Sequence, residues 1–312
     1  MAANVETMFY VRETPWHGLG TRVDEVLCSE DALNQSGLNW KVIQKTIVSE
    51  DNIKITGYRA NIRDIDNKVL GVVTDRYKVV QNNEAFAFTD ALIGDGVRYE
   101  TAGSLQEGKK IWLLAKMPEK YVIADDEVSP FMVFSNSYDG SGAVKVAMTP
   151  IRVVCQNTLN LALNSAKRSW SMVHTGDIRM KLDEARNTLI LASKYMDQLS
   201  KNVDEIRNIQ LMDQKVQAYI NDLIPLSDNA TKLQERNIQR LRTDLKIRFF
   251  EAPDLVGIPK NGWRFINAVS DFATHTKPLR NTATFQENVF LKTVEGNPLI
   301  DKAYQMIKAR AA

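Results

Sequence analysis

Apolar and polar positions alternate along the chain between Trp40 and Val80. Apolar residues recur with a period of two, as is typical of strands, in the segments KVIQKTIVSE, KITGYRANIRD and KVLGVVTDRYKVV. Asp64 to Asn67 supplies a turn between the second and third segments. A helix is predicted next over NEAFAFTDALIG, where Gly94 provides the stop. The pattern therefore predicts three strands followed by one helix.

A second strand-rich region follows the helix. VRYETAGSLQEGKKIWLLAKM and FMVFSNSYDGSGAVKVAMT predict two hairpins, with turns at 106–108 and 139–142. Pro150 is expected to end the second hairpin or to lie on a sheet edge. Residues 153–167 then carry enough apolar side chains on one side for a helix that covers a sheet face. The predicted local order is four strands and a helix.

The pattern changes again in residues 179–224, which contain no Gly or Pro. Apolar residues from Leu182 to Ile206 alternate steps of three and four, as in a heptad seam. The seam shifts after Ile206, which predicts a second helix that Pro225 terminates. Packing on the strand-rich region and contact with another subunit both explain such a seam.

Further helices are predicted towards the end of the chain. Residues 229–251 form one, with Thr231 as a possible cap. WRFINAVSDFATHTK predicts a core helix, and TATFQENVF with NPLIDKAYQMIKARAA predicts a helical cover. The fold class is therefore α+β: an antiparallel β-hairpin sheet with packed helices in residues 1–170, and a mainly helical region in residues 171–312 that packs on this core or oligomerises.

Composition limits the functions available to this fold. The chain has 312 residues, and its 40 Lys and Arg against 38 Asp and Glu leave a net charge of +2, so a nucleic-acid site must be a local patch. Cys28 and Cys155 have no metal-type spacing with the three histidines, which argues against zinc. Met1 to Tyr10 is mixed and short, so no leader is expected, and no apolar run approaches about 20 residues. We expect a cytoplasmic protein without cofactor, metal or membrane partner.

Catalytic motifs are absent from the sequence. No nucleophile elbow, phosphate-binding glycine loop or dinucleotide fingerprint is found, so a non-enzymatic role is expected. The segment around Trp16 and His17 is turn-like and could contact a ligand or close one end of a core.

Cations and aromatic residues alternate in the strands and turns of the first half. Single-stranded nucleic acid is bound by a cationic groove for its backbone and by flat side chains for its bases. The candidate binding residues are Arg76, Tyr77, Lys78, Arg98, Lys109, Lys110, Tyr138, Lys145 and Arg152. Arg152 stands out because it precedes a predicted helix whose N-terminal amides favour anions, although an internal ion pair explains it equally well.

The most basic run of the chain lies in the predicted helix 229–251. It holds six cations, at positions 232, 236, 240, 242, 246 and 248, against Glu235 and Asp244. A solvated helix face and a face that follows phosphates are both compatible with this run.

Four motifs resemble a known family. WHGLGT, VVTDRYKVVQNNEAF, TPIRVVCQNTLNLAL and GWRFINAVSDFATH, in this order over nearly the whole chain, are similar to a phage- and plasmid-borne family catalogued as a domain of unknown function and named for its LGT motif. This resemblance implies a mobile-element origin and a cytoplasmic protein.

A more remote similarity concerns the order of elements in residues 97–167. It resembles the phage single-strand annealing proteins of the Rad type, which have a curved β-hairpin sheet followed by a helix and form rings or filaments. This resemblance implies an oligomeric phage protein that binds single-stranded DNA in annealing or recombination. The alternative is a phage protein that inhibits or redirects a host protein through the helices in residues 179–250.

Overall fold

Strands and helices alternate in the first half of the computed structural model, and helices follow in the second half. The structure describes residues 5–11, 21–24, 28–94, 98–152, 169–276, 292 and 296–309. The strands are β1 Val5–Tyr10, β2 Thr21–Arg22, β3 Val42–Val48, β4 Lys54–Arg63, β5 Val69–Thr74, β6 Arg98–Leu105, β7 Lys110–Lys116, β8 Tyr121–Ile123, β9 Asp126–Ser137, β10 Val144–Arg152 and β11 Ser169–Met172. The helices are α1 Ser29–Gln35, α2 Asn82–Ile93, α3 Leu182–Arg207, α4 Asp213–Leu223, α5 Lys232–Glu251, α6 Gly262–His275 and α7 Pro298–Ala309.

The predicted α+β fold class is confirmed, with antiparallel hairpins and helices towards the C-terminus. The large sheet has the order β11-β10-β9-β7-β6-β1-β2, and β8 pairs with β9. Both predicted hairpins are present, because β6 pairs with β7 and β9 neighbours β10. Pro150 does not end β10, which continues to Arg152. Pro150 lies beyond Ala147, the residue at which the pairing of β10 with β11 stops.

The pairing of β1 with β6 was not predicted. Thr7 is opposite Ser104, and Gly103 lies so close to β1 that a Cβ atom there would stand 2.2 Å from the Thr7 carbonyl oxygen. A glycine is required at such a close approach of two backbones. The strand β1 was missed because its partner lies about a hundred residues away along the chain, beyond the reach of local periodicity.

A second, small sheet has the order β3-β4-β5, as the period-two segments predict. One face of this sheet, the inner face, packs on the turn that follows β9. Asn61 donates from Nδ2 to the Tyr138 carbonyl oxygen at 2.7 Å, and a Cβ at Gly71 would lie 2.4 Å from the Cα of Asp139. This close packing fixes the sheet on its inner side and leaves the opposite, outer face towards solvent.

The predicted helices agree with the structure where it describes them. The seam ends with α3 at Arg207, and α4 ends at Leu223, before Pro225. Thr231 caps α5 in a capping box with Gln234. Residues 262–270 of α6 are all buried, as expected for a core helix. The predicted helix 153–167 and the segment TATFQENVF lie outside the described residues.

The chain divides into two compact units. The first comprises residues 1–119, 130–148 and 167–192, and the second comprises residues 120–129, 149–166 and 193–312. The first unit contains the small sheet and most of the large one, and the second contains α4 to α7. The predicted domain boundary after residue 170 stays a prediction.

Candidate nucleic-acid interface

Most of the predicted binding residues meet at the Ser137 end of the large sheet. Tyr77 donates its hydroxyl to the Ser137 carbonyl oxygen, and Lys110 is the cross-strand neighbour of Ser137. The backbone N–H of Tyr138 donates to the Lys109 carbonyl oxygen at 2.7 Å. The predicted residues at this end are Arg76, Tyr77, Lys78, Lys109, Lys110, Tyr138 and Lys145.

Two predicted residues lie elsewhere. Arg98 begins β6 and is opposite Lys116, so it lies at the far end of the β6–β7 hairpin from Lys110, about 20 Å away along the strand. Arg152 is the last residue of β10, seven positions beyond Lys145; its side chain lies outside the described residues, as do Trp16 and His17.

The two predicted stacking residues, Tyr77 and Tyr138, are core residues. Tyr138 is 0% exposed, and its hydroxyl donates to Asn82 Oδ1 at 2.6 Å. Tyr77 is 7% exposed and stacks on His174, with ring centroids 4.3 Å apart. Burial raises the pKa of both phenols. Since neither ring presents an open face to solvent, base stacking at Tyr77 or Tyr138 does not fit this packing, and we assign both side chains to the core.

His174 joins the segment after β5 to the segment after β11. Its Nδ1 lies 3.1 Å from the Lys78 carbonyl oxygen, to which it donates, and its own carbonyl oxygen accepts from the Lys78 N–H at 2.6 Å. The other ring nitrogen, Nε2, is buried and has no hydrogen-bond partner among the described residues. Burial lowers the pKa of His174, and the hydrogen bond to Lys78 opposes this effect only in part. The native state therefore holds the imidazole neutral.

This burial predicts a loss of stability in mild acid. As pH falls below about 6.5, His174 takes up a proton in the unfolded state before it does so in the native state. The unfolded state then binds more protons, so the free energy of unfolding decreases by up to about 1.4 kcal/mol per pH unit. Urea unfolding between about pH 7.5 and pH 5 measures how the free energy of unfolding depends on pH. This pH range lies above the one in which most carboxylates titrate. A His174→Gln variant should flatten this dependence, and an equal slope in both proteins would contradict the assignment.

Two clefts share Thr175, and Tyr77 lines the first of them. The first, of about 280 Å³, lies between Tyr77, the glycine-rich turn at 140–142 and His174. The second, of about 360 Å³, includes Lys78, Glu84, Asp177 and Arg179. Arg179 is already paired with Asp177 at 2.7 Å, and Glu84 offsets Lys78. The charges of the second cleft balance, so these clefts do not form a cationic track.

A basic face is present on α5, in the second unit. Lys232, Arg236 and Arg240 recur every four residues and so lie on one side of the helix, and Lys246 falls within about 40° of Lys232. All four side chains are exposed and make no hydrogen bond or ion pair with the described part of the chain. These four residues, named here the α5 basic face, extend over about 21 Å.

The other two cations of α5 point inward. Arg242 donates from Nε to the Ile224 carbonyl oxygen at 2.9 Å, at the end of α4. Arg248 donates to Asp244 at 3.0 Å and to Asp271. These contacts orient the helix, so the four exposed cations stand on the side away from the packed surface. The sequence identifies the basic run, and the tertiary contacts separate its exposed members from its structural ones.

Tyr58 is a candidate that sequence reasoning missed. It lies in β4 on the outer face of the small sheet and is 50% exposed. Every other Tyr, Phe and Trp side chain that the structure describes is buried or half-buried. Its alternation with Ala60 and Ile62 in KITGYRANIRD places the three residues on one face of a strand, but does not indicate whether this face is open to solvent.

None of the helices that the structure describes is both long and apolar enough to cross a bilayer. The side chains of His, Cys, Asp and Glu that are described form no group of three that could hold a metal ion.

Comparison with known proteins identifies the family to which the chain belongs. No curated protein and no solved structure matches the chain. One family model matches residues 69–293, which include α5 and most of the strands. This match covers more than half of the sequence, and the chain therefore belongs to the family described as a domain of unknown function, DUF932.

Proposed function

We propose that this protein binds single-stranded DNA without catalysing a reaction on it. The observation that carries the proposal is the α5 basic face. Surface cations of soluble proteins are usually interspersed with carboxylates. Here four cations stand on one side of a helix, against two neighbouring carboxylates, Glu235 and Asp244, of which Asp244 is paired with Arg248. An extended polyanion is the class of ligand that complements such a row.

The expected strength of this contact follows from counterion release. A single strand releases about 0.7 counterion for each phosphate that is neutralised, so four contacts correspond to a slope of about −2.8 in the dependence of log affinity on log salt. The near-neutral charge of the whole molecule, +2, adds little long-range attraction. The salt dependence therefore reports mainly on the local face.

A binding titration at several salt concentrations tests the proposal. Fluorescence anisotropy of a labelled oligothymidine of about 30 nucleotides should show the affinity falling about 50-fold between 50 and 200 mM salt. Competition with a duplex of the same length measures the preference for single strands. Absence of binding at 50 mM salt would remove the proposal, and binding without salt dependence would remove the α5 basic face from it.

The finer parts of the proposal concern biological context. We place the protein among phage-encoded, oligomeric proteins of the cytoplasm that anneal single strands in recombination. The paired hairpins β6–β7 and β9–β10, and the resemblance of WHGLGT and its companion motifs, support this context. Strand annealing of two complementary oligonucleotides by the purified protein tests it directly.

A second candidate function is an interaction with a host or phage protein. It is favoured by Leu233 and Ile247, which are 58% and 48% exposed on the same side of α5 as the cations. Apolar side chains add nothing to a contact with phosphates, whereas an acidic, amphipathic protein surface would use both kinds of residue. Replacing Leu233 and Ile247 by serine separates the two functions. If the protein binds DNA through the cations, its affinity for DNA should stay unchanged. If α5 instead binds a protein partner, binding of that partner should fall.

A further inference from the structure

The outer face of the small sheet has an unusual combination of side chains. Cross-strand register places Ile43, Ile62 and Val69 in one row, and Lys45, Ala60 and Val72 in the next. Tyr58 and Thr74 form a third row. Ile43, Val69, Val72 and Tyr58 are 46%, 53%, 56% and 50% exposed. Apolar side chains therefore cover much of a sheet face that is open to solvent.

The charged residues on and beside this face are mainly cations. Lys45 is the only charged residue in the three rows, and it donates to Asn67 Oδ1 at 3.2 Å. Arg76 lies two residues beyond Thr74 and is exposed. The Asp75 N–H donates to the Gly57 carbonyl oxygen at 3.0 Å, and this bond keeps the end of β5 beside Tyr58. Asp75 offsets part of the charge of Arg76. A ligand with flat apolar groups and a negative backbone complements this arrangement.

Rigid support makes the face suitable as a platform. On the inner side, Asn61 and Gly71 are held against the turn at Tyr138 and Asp139. Val73 is 5% exposed, so the inner side chain of β5 at this position belongs to the core. The outer side chains are thus presented by a fixed backbone, which lowers the entropy lost when a ligand binds.

We propose that the bases of a single strand stack on the outer face of the β3–β5 sheet, with Tyr58 as the stacking side chain and Lys45 and Arg76 beside the phosphates. This inference rests on the proposed binding of single-stranded DNA, and it assigns the outer face of the β3–β5 sheet as the surface that contacts the bases. An exposed aromatic ring on a sheet binds any base through its π face, so the contact is tolerant of sequence.

Substitution of Tyr58 tests the inference. Tyr58→Ala should weaken binding of oligothymidine by about 5- to 150-fold, the range expected for one lost stacking contact, and should leave the salt slope unchanged. Tyr58→Phe should retain the affinity because it retains the ring. Lys45→Gln should instead reduce the steepness of the salt slope by about 0.7. Ultraviolet crosslinking to oligothymidine, followed by peptide mapping, should identify the peptide that contains Tyr58.

Two outcomes distinguish this inference from the proposed function. If the wild-type protein does not bind single strands, the proposed function fails and the inference fails with it. If the wild-type protein binds but Tyr58→Ala binds equally well, the inference alone is overturned. A Tyr58→Ala variant with unchanged affinity and a smaller mass in sedimentation would identify the face as a contact between protein chains and would also overturn it.

Discussion

Replacing Lys232, Arg236 and Arg240 together by glutamine is expected to weaken binding of oligothymidine by about 100-fold at 0.1 M salt. Relative to 1 M salt, three phosphate contacts raise the affinity at 0.1 M salt by about two powers of ten, which the variant loses. The steepness of the salt slope should fall by about two. Because all three side chains are exposed and make no hydrogen bond or ion pair with the described residues, stability should change little. Anisotropy titrations over a range of salt measure both quantities.

A matched variant separates a local contact from net charge. Lys194, Lys201 and Lys215 are exposed on α3 and α4, away from the α5 basic face in sequence. Their replacement by glutamine also lowers the formal net charge of +2 by three. We expect this variant to bind almost as well as the wild-type protein. Equal losses in the two triple variants would show that DNA responds to overall charge and would contradict the assignment to α5.

The second large effect is expected at Arg264, whose replacement by methionine should destabilise the fold by about 3–5 kcal/mol. Arg264 is 5% exposed. Its guanidinium donates to three carbonyl oxygens, those of Phe249 and Ile258 at 2.7 Å and that of Phe250 at 3.1 Å. Two of these carbonyls belong to the last turn of α5 and have no partner within the helix. Loss of the donor leaves them unsatisfied in a buried place.

Arg242→Met is the control for this prediction. Arg242 is half-buried and also donates to carbonyl oxygens at a helix end, but with one bond of 2.9 Å and one long contact of 3.4 Å. Its loss should cost about 1 kcal/mol. Urea unfolding of the two variants compares them on the same scale. If Arg264→Met were no less stable than Arg242→Met, the three short contacts would not anchor the end of α5.

Local periodicity explains why so much of the fold could be predicted. The strands β3, β4 and β5, the hairpin turns, and the break between α3 and α4 all depend on neighbours within a few residues. Strands whose partners are distant were missed: β1 pairs with β6 across about a hundred residues, and β11 is a short segment that pairs with β10. Their pairing depends on contacts that no local pattern contains.

The candidate site shows the same division. Seven predicted residues meet at one end of the large sheet because they follow strand ends that the pairing brings together. Their exposure could not be predicted: Tyr77 and Tyr138 are buried, whereas Tyr58 is exposed. A tyrosine in a strand can face either side, and the side is set by the register and by what packs on the sheet.

The sequence by itself determined the α+β class, the elements with strong periodicity, the small net charge and the basic run of α5. Tertiary structure alone decided which cations of that run are open to a ligand. Arg242 and Arg248 turn inward because carbonyl and carboxylate oxygens from other helices meet them there. Lys232, Arg236, Arg240 and Lys246 have no such partner in the described chain and face solvent. The physical reason is that a buried cation needs oxygen partners, and only the folded chain brings distant oxygens within hydrogen-bonding distance.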